Sequence, residues 1–282
     1  GPLLANTSQQ RYLYLGGCAI GTRPIDLHLR ALSKLGVRYK IEQGYVIANA
    51  SNGLKGNKIK FPKISVGATE NLIIAASFAK GTTILSNCAV EPEIRDLVNF
   101  LNEMGCNIKW ISKRTIQIVG VSEIKETSYS VMFDRIEAGT YLVAAAVTEG
   151  NLKISNIIPE IVKTEINILK KLGSKIIIKK NELQIIGNKK IKSIKIKTAP
   201  YPGFPTDLQA QIMVLLCKAN KSSTIKEDIF ENRFMHVAEL NRMGAKISTV
   251  GNKAFIKGNV NFAPAELMAT DLRASVSLIL AA

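Results

Sequence analysis

Four glycines divide this chain at nearly constant intervals. Gly36, Gly105, Gly173 and Gly244 lie 69, 68 and 71 residues apart, and each directly follows a Leu or Met that ends a stretch of helical apolar spacing. Glycine just past the last helical turn takes the left-handed conformation cheaply, so each one marks a helix C-terminus. The residues around the markers read in a single order: an Ala-rich helix, a strand, a loop, a second amphipathic helix, the marker glycine and two short strands. The spacing predicts Ala-rich helices over 67–80, 137–148 and 207–218, strands over 82–86 and 152–155, and marker-glycine helices over 93–104 and 161–172. A repeat of this length exceeds the roughly 20–50 residues usual for solenoids, which favours stacked globular units. With 282 residues the chain is longer than one core usually serves, so two domains are expected. The boundary is placed in Ser128–Phe133, just before Asp134 opens a new unit, giving 1–132 and 133–282. The class is α/β. The pattern starts at a strand and stops inside a helix at Leu280–Ala282, so the repeat is expected to be incomplete at both ends.

Hydrophobic residues make up 46% of the chain but aromatics only 6%, so its core should be layered Ile, Leu, Val and Ala. The longest apolar runs, Leu72–Ala76 and Tyr141–Val147, are far short of the roughly 20 residues a membrane helix needs. No basic segment followed by an apolar one opens the chain, so a cytoplasmic location is expected. The net charge of +16 invites a nucleic-acid reading. Its placement argues against one, because the lysines are scattered through Ile-rich stretches such as Lys170–Lys180 and Lys189–Lys197 without aromatic residues for base stacking. Small anionic substrates suit the charge equally well. Cys18, Cys88, Cys106 and Cys217 show no metal-ligand spacing and only two histidines could assist them, so neither a metal site nor a cofactor is implied. Cys88, Cys106 and Cys217 occupy apolar repeat positions, where buried inert thiols are the rule.

Reactive residues gather in two recurring loops, one before each helix of the unit. Helix N-termini carry free N–H groups and a positive dipole end, so several facing one cleft would bind anions. Before the first marker-glycine helix stands Gly16-Gly17-Cys18-Ala19-Ile20-Gly21-Thr22-Arg23-Pro24-Ile25-Asp26-Leu27-His28, whereas the same loop of the third unit holds Asn156-Ile157-Ile158-Pro159-Glu160. The fold alone therefore does not require a cysteine flanked by glycines. Arg23 and the following helix could lower the Cys18 pKa, although an ordinary loop cysteine remains the alternative. The fourth unit offers Phe230–Val237 with Arg233, and the second offers Glu91-Pro92-Glu93, where surface salt bridges are the bland alternative. The loops before the Ala-rich helices hold Lys63–Thr69, Asp134–Glu137, Phe204–Gln209 and Thr270–Arg273. Thr or Asp ahead of an apolar periodic run is also what helix capping prefers, so Asp207 is read either as a cap or as a functional carboxylate. As a base it would be weakened by a helix N-terminus, which stabilises the anion, so positioning a hydroxyl is the better-suited role.

Seven stretches in order carry a resemblance: GGCAIGTRPIDLH at 16–28, KISVGAT at 63–69, EPEIRD at 91–96, DRIEAGT at 134–140, FPTDLQAQ at 204–211, FENRFMHV at 230–237 and ATDLRAS at 269–275. Together they resemble the UDP-N-acetylglucosamine 1-carboxyvinyltransferase family, the MurA-type enolpyruvyl transferases, along nearly the whole chain. The resemblance implies a two-domain inside-out α/β barrel of repeated helix-strand-helix-strand-strand units. It implies transfer of the enolpyruvyl group of phosphoenolpyruvate to UDP-N-acetylglucosamine, the first committed step of peptidoglycan precursor synthesis. Cys18 would be the proton donor and the thiol alkylated by fosfomycin-type epoxides. Arg23, Pro24, Ile25, Asp26 and Leu27, with Lys63, Ile64, Ser65 and Val66, would hold the uridine and diphosphate. Asp207 would face the sugar hydroxyl, Ile229 would contact the nucleotide sugar, and Arg23, Arg233 and Arg273 would bind phosphoenolpyruvate. The partners implied are these two small molecules, with no nucleic acid, membrane or metal. Relative to the family pattern, about a quarter of the chain in front, with a Lys-Asn pair and an arginine, and a shorter piece behind with another arginine are absent. The alternatives are a shikimate-type enolpyruvyl transferase and a truncated nucleotide-sugar-binding module without turnover.

Overall fold

The computed structural model describes residues 4, 9–13, 25–269 and 271–282. Cys18, Arg23 and Pro24 lie outside these described residues. The chain divides into two compact units, the first ending at Met132 and the second running Phe133–Ala282.

In the first unit, β1 (Gln9–Leu13), β2 (Arg38–Glu42) and β3 (Tyr45–Asn49) form an antiparallel sheet in the order β1-β3-β2. A second sheet joins β4 (Lys58–Lys60), β5 (Thr82–Ser86), β6 (Asn107–Ser112) and β7 (Thr115–Val119) in the order β4-β5-β7-β6, with only the β4/β5 pair parallel. Helices with described bounds in this unit are α1 (Asp26–Lys34), α2 (Val66–Ala76) and α3 (Pro92–Glu103). The helix predicted over 67–80 ends at Ala76, because Phe78 and Ala79 turn to i–3 bonds and the Lys80 N–H is taken by the Leu54 carbonyl.

The second unit repeats this plan. Strands β8 (Asn151–Ser155), β9 (Lys175–Lys179) and β10 (Glu182–Ile186) pair as β8-β10-β9. The second sheet runs β11-β12-β14-β13, built from β11 (Lys195–Lys197), β12 (Ser223–Lys226), β13 (Ile247–Val250) and β14 (Lys253–Ile256), again with one parallel pair, β11/β12. Its helices are α4 (Arg135–Val147), α5 (Lys163–Leu172), α6 (Gln209–Cys217), α7 (His236–Arg242) and α8 (Leu272–Ala281). All nine residues of α6 are buried, so this helix is interior, as its all-round apolar sequence requires. The strands alternate buried and part-exposed residues and lie outside it.

Each marker glycine adopts the left-handed backbone its position requires, with φ of +99° at Gly36, +96° at Gly105, +113° at Gly173 and +93° at Gly244. The glycines that end the strand pairs have a different reason. A Cβ at Gly120 would collide with the Ala79 carbonyl oxygen, and one at Gly258 with that of Ala219, so the strand end passes directly over the end of the Ala-rich helix. Gly120→Ala must push backbone apart and is expected to cost about 1–3 kcal/mol, read as a shifted midpoint in urea unfolding. An unchanged midpoint would mean that this close approach relaxes freely.

Candidate active site

Three aspartates of the second unit occupy the same kind of loop, and two of them cap helices. Asp134 Oδ1 accepts the N–H groups of Ile136 and Glu137 at 2.7 and 3.1 Å, at the start of α4. Asp271 Oδ1 accepts those of Arg273 and Ala274 at 2.8 and 3.0 Å, at the start of α8. Asp207 caps nothing. It sits in a 3-10 turn, Thr206–Leu208, ahead of α6, and no side chain caps either element. Its Oδ1 instead accepts from Arg233 Nη2 at 2.7 Å and from Arg273 Nε at 3.4 Å. Capping thus fails to explain Asp207.

The cluster is assembled from three separate elements. Asp207 comes from the turn before α6, Arg233 from the loop between β12 and α7, and Arg273 from the first turn of α8, which packs on α6 and α7. The Arg233 side chain is 5% exposed, Arg273 26% and Asp207 40%, so the buried guanidinium has the carboxylate on its solvent side. Phe230 covers Arg233, with the ring centroid 5.4 Å from the guanidinium carbon. The His236 ring beside it is buried, and burial holds its pKa at about 4, with Asp271 opposing and Arg233 reinforcing the shift. That imidazole is neutral near pH 7 and adds no charge. Each guanidinium carries five N–H donors, and Asp207 engages only one of each. What remains suits an oxygen-rich anion bound beside a carboxylate.

In the first unit the described end of the first motif, residues 25–28, also meets the start of α2. Ile25 precedes α1 and Asp26 is its first residue, while Ser65 caps α2 by accepting the Ala68 N–H at 3.3 Å. The helix starts are tied by His28, whose Nδ1 lies 2.9 Å from Asn71 Nδ2. His28 also faces Gly67, where an added Cβ would stand 3.5 Å from its Cε1. Because Asn71 Nδ2 can only donate, His28 Nδ1 accepts, and burial lowers its pKa in keeping with a neutral ring. Lys63 is exposed, and Ile64, Ser65 and Val66 are half-buried. Leu27 is in the core, so its side chain serves packing and only its backbone can meet a ligand.

The family model described as EPSP synthase (3-phosphoshikimate 1-carboxyvinyltransferase) matches residues 1–282. A UDP-N-acetylglucosamine 1-carboxyvinyltransferase of Pelagibacter ubique (strain HTCC1062) is 74% identical over 282 residues, covering all of this chain and 68% of the relative. The chain belongs to the enolpyruvyl transferase family. A second relative with the same name, from Geotalea uraniireducens (strain Rf4), is 52% identical over 281 residues, covering 100% of this chain and 67% of the relative. Among solved structures, the enolpyruvyl transferase NikO from Streptomyces tendae aligns with a TM-score of 0.87 at 21% identity, covering 99% of this chain and 67% of that one. An EPSP synthase from Acinetobacter baumannii aligns with a TM-score of 0.69 at 20% identity, covering 99% and 69%. At such identities these two establish the enolpyruvyl transferase fold alone.

Within this family fold, the structure brings Asp207, Arg233 and Arg273 together, and separately gathers 25–28 with 63–67. Ile229 is exposed, and its N–H donates to Glu227 Oε1 at 2.8 Å. Glu227 was not anticipated from the sequence, although it is 2% exposed and sits among the site loops. Its signal was the repeat itself, since the equivalent positions in the two preceding units are Asn87 and Asn156. Among the described residues no group of three or more His, Cys, Asp or Glu is placed to hold a metal, and no helix is long and apolar enough to cross a membrane.

Proposed function

We propose that this protein transfers the enolpyruvyl group of phosphoenolpyruvate to the 3-hydroxyl of UDP-N-acetylglucosamine, releasing phosphate, in the cytoplasm. The observation that carries this reading is the pair of guanidiniums converging on a non-capping Asp207, in a chain 74% identical to a relative named for that activity. In the first step a proton adds to the methylene carbon of phosphoenolpyruvate, with Cys18 as donor. The sugar oxygen bonds to the neighbouring carbon, and the hydroxyl proton passes to Asp207. The resulting tetrahedral intermediate keeps its phosphate, which Arg23, Arg233 and Arg273 neutralise. Loss of a methyl proton and departure of phosphate then restore the carbon–carbon double bond. Asp207 Oδ2 has no partner among the described residues, so it is the oxygen available to orient the hydroxyl.

The uridine and diphosphate fall to Arg23–Leu27 and Lys63–Val66, where the N-termini of α1 and α2 offer N–H groups and positive dipole ends. Ile229 supplies an apolar contact to the nucleotide sugar. The test is phosphate release from phosphoenolpyruvate with UDP-N-acetylglucosamine or shikimate 3-phosphate as acceptor, alongside calorimetry against UDP-glucose and single-stranded RNA. Release with the amino sugar nucleotide alone is expected, together with tighter binding of it than of UDP-glucose or RNA. Release with shikimate 3-phosphate would move the assignment to the sister activity. Tighter binding of RNA at moderate salt would instead point to a charge-driven polyanion site.

A further inference from the structure

We infer that Glu227 is a positioning residue that sets Asp207 and Arg233 in register; the inference rests on the function proposed above. Glu227 follows β12 directly, and its carboxylate receives four donors from three segments. Oε1 accepts Thr198 Oγ1 at 2.9 Å, Ile229 N at 2.8 Å and Phe230 N at 3.2 Å, and Oε2 accepts Thr206 Oγ1 at 2.9 Å. Thr206 is the neighbour of Asp207. Ile229 and Phe230 open the loop that carries Arg233, and Phe230 is the ring against that guanidinium. One buried carboxyl group therefore ties both halves of the Asp207–Arg233 pair.

The direction of these bonds suits a carboxylate. The Asp228 N–H donates to Thr198 Oγ1 at 2.9 Å, so the single hydroxyl proton of Thr198 is free to go to Glu227, whose oxygen is nearer than the Lys226 carbonyl at 3.5 Å. Thr198 and the two N–H groups therefore donate to Oε1, and the Thr206 hydroxyl, free to turn, donates to the remaining oxygen of a carboxylate. A glutamine keeps all four contacts only if its N–H₂ group faces Thr206 and the Thr206 hydroxyl turns round to accept, which changes the tie to the turn that carries Asp207.

The repeat supplies the control. Strand pair β4/β5 aligns Lys60 with Ser86, and β11/β12 aligns Lys197 with Lys226. The next residues are Phe61 with Asn87 in one unit and Thr198 with Glu227 in the other. In the first unit Asn87, at φ +59°, makes one bond, from Nδ2 to the Phe61 carbonyl at 2.9 Å, and Asn156 holds the same left-handed backbone at φ +58°. In the first unit a single amide closes that corner, on a left-handed backbone that Glu227 does not share. Among the described residues, only the copy beside Asp207 and Arg233 places a buried carboxylate with paired threonines at this position, which points to a role local to the site.

The experiment compares Glu227→Gln, Thr206→Val and Thr206→Ser in the full-length protein, alone and in an Asp207→Asn background, measuring kcat, KM for both substrates and Tm. Glu227→Gln is expected to lower kcat roughly 10–100-fold, with a smaller change in KM for the nucleotide sugar. Thr206→Val should lose activity in the same direction and Thr206→Ser should recover it. In the Asp207→Asn background the further loss from Glu227→Gln should shrink to about threefold or less, because both act on one arrangement. A folded Glu227→Gln within twofold of wild type, or a loss that multiplies in full onto Asp207→Asn, would overturn the inference and leave the proposed function standing. Should Glu227→Gln fail to fold, an unaffected Thr206→Val would overturn it equally. A wild-type protein without turnover of these substrates would overturn the proposed function, and this inference with it.

Discussion

Asp207→Asn is expected to lower kcat by about a hundredfold or more while leaving a folded protein. Asparagine preserves the shape and keeps an oxygen for Arg233, so the geometry of the cluster has no reason to collapse. Under the proposed function it removes the charge that would orient and receive the proton of the attacking hydroxyl, which would matter most as the new carbon–oxygen bond forms. The stability cost follows from the same geometry. Arg233, 5% exposed, keeps a neutral acceptor but loses the opposite charge, and the 40% exposure of Asp207 lets water screen much of that loss. A loss of about 1 kcal/mol is expected, more than the near-zero change that a simple capping aspartate would show on becoming asparagine, since both cap equally well. Steady-state kinetics with both substrates and a thermal melt give the two numbers. Turnover at the wild-type rate would rule out both the proton-accepting and the positioning roles.

Much of this was legible in the residues because the fold repeats. Marker glycines need a left-handed backbone wherever the unit recurs, so their spacing showed through divergent side chains. The repeat also supplied internal controls, and these separate Asp207 from its neighbours. In sequence Asp134, Asp207 and Asp271 look alike, each polar and each ahead of an apolar run. Which of them caps depends on whether the turn points its carboxylate at its own N–H groups or at an arginine some 26 or 66 residues away, as it does for Asp207. That is a tertiary fact, and local propensity does not encode it. Glu227 was hidden for a related reason. A glutamate at a strand end reads as a solvated charge until the topology brings Thr198 and Thr206 against it. Leu27 shows the converse, since its place in a motif suggested ligand contact whereas helical periodicity sends its side chain to the core.

Labelling with a fosfomycin-type epoxide under native conditions is expected to modify Cys18 alone among the four thiols, and faster when UDP-N-acetylglucosamine is present. The thiolate is the nucleophile, so reactivity follows the thiolate population and access to it. Cys88 and Cys217 are fully buried, and burial pushes both thiols up to about 12. At neutral pH such groups are ionised in roughly one molecule in 10⁵, against a few per cent for an ordinary cysteine. Cys106 is 8% exposed and is also raised by burial, with Ser77 opposing, so it is the next most reactive of the three and still suppressed. Cys18 lies outside the described residues, and its expected reactivity comes from the sequence: Gly16, Gly17 and Gly21 flank it, and Arg23 follows five positions on. Under the proposed function the thiol and the nucleotide sugar act in one step, so bound sugar is expected to speed labelling. Intact mass should show one adduct on the native protein, peptide mapping should assign it to Cys18, and unfolding in denaturant should make all four thiols reactive. Equal native modification of Cys88, Cys106 and Cys217 would show that burial does not protect them. A Cys18 no faster with the nucleotide sugar than without it would remove the coupling between substrate and thiol on which its role as proton donor depends.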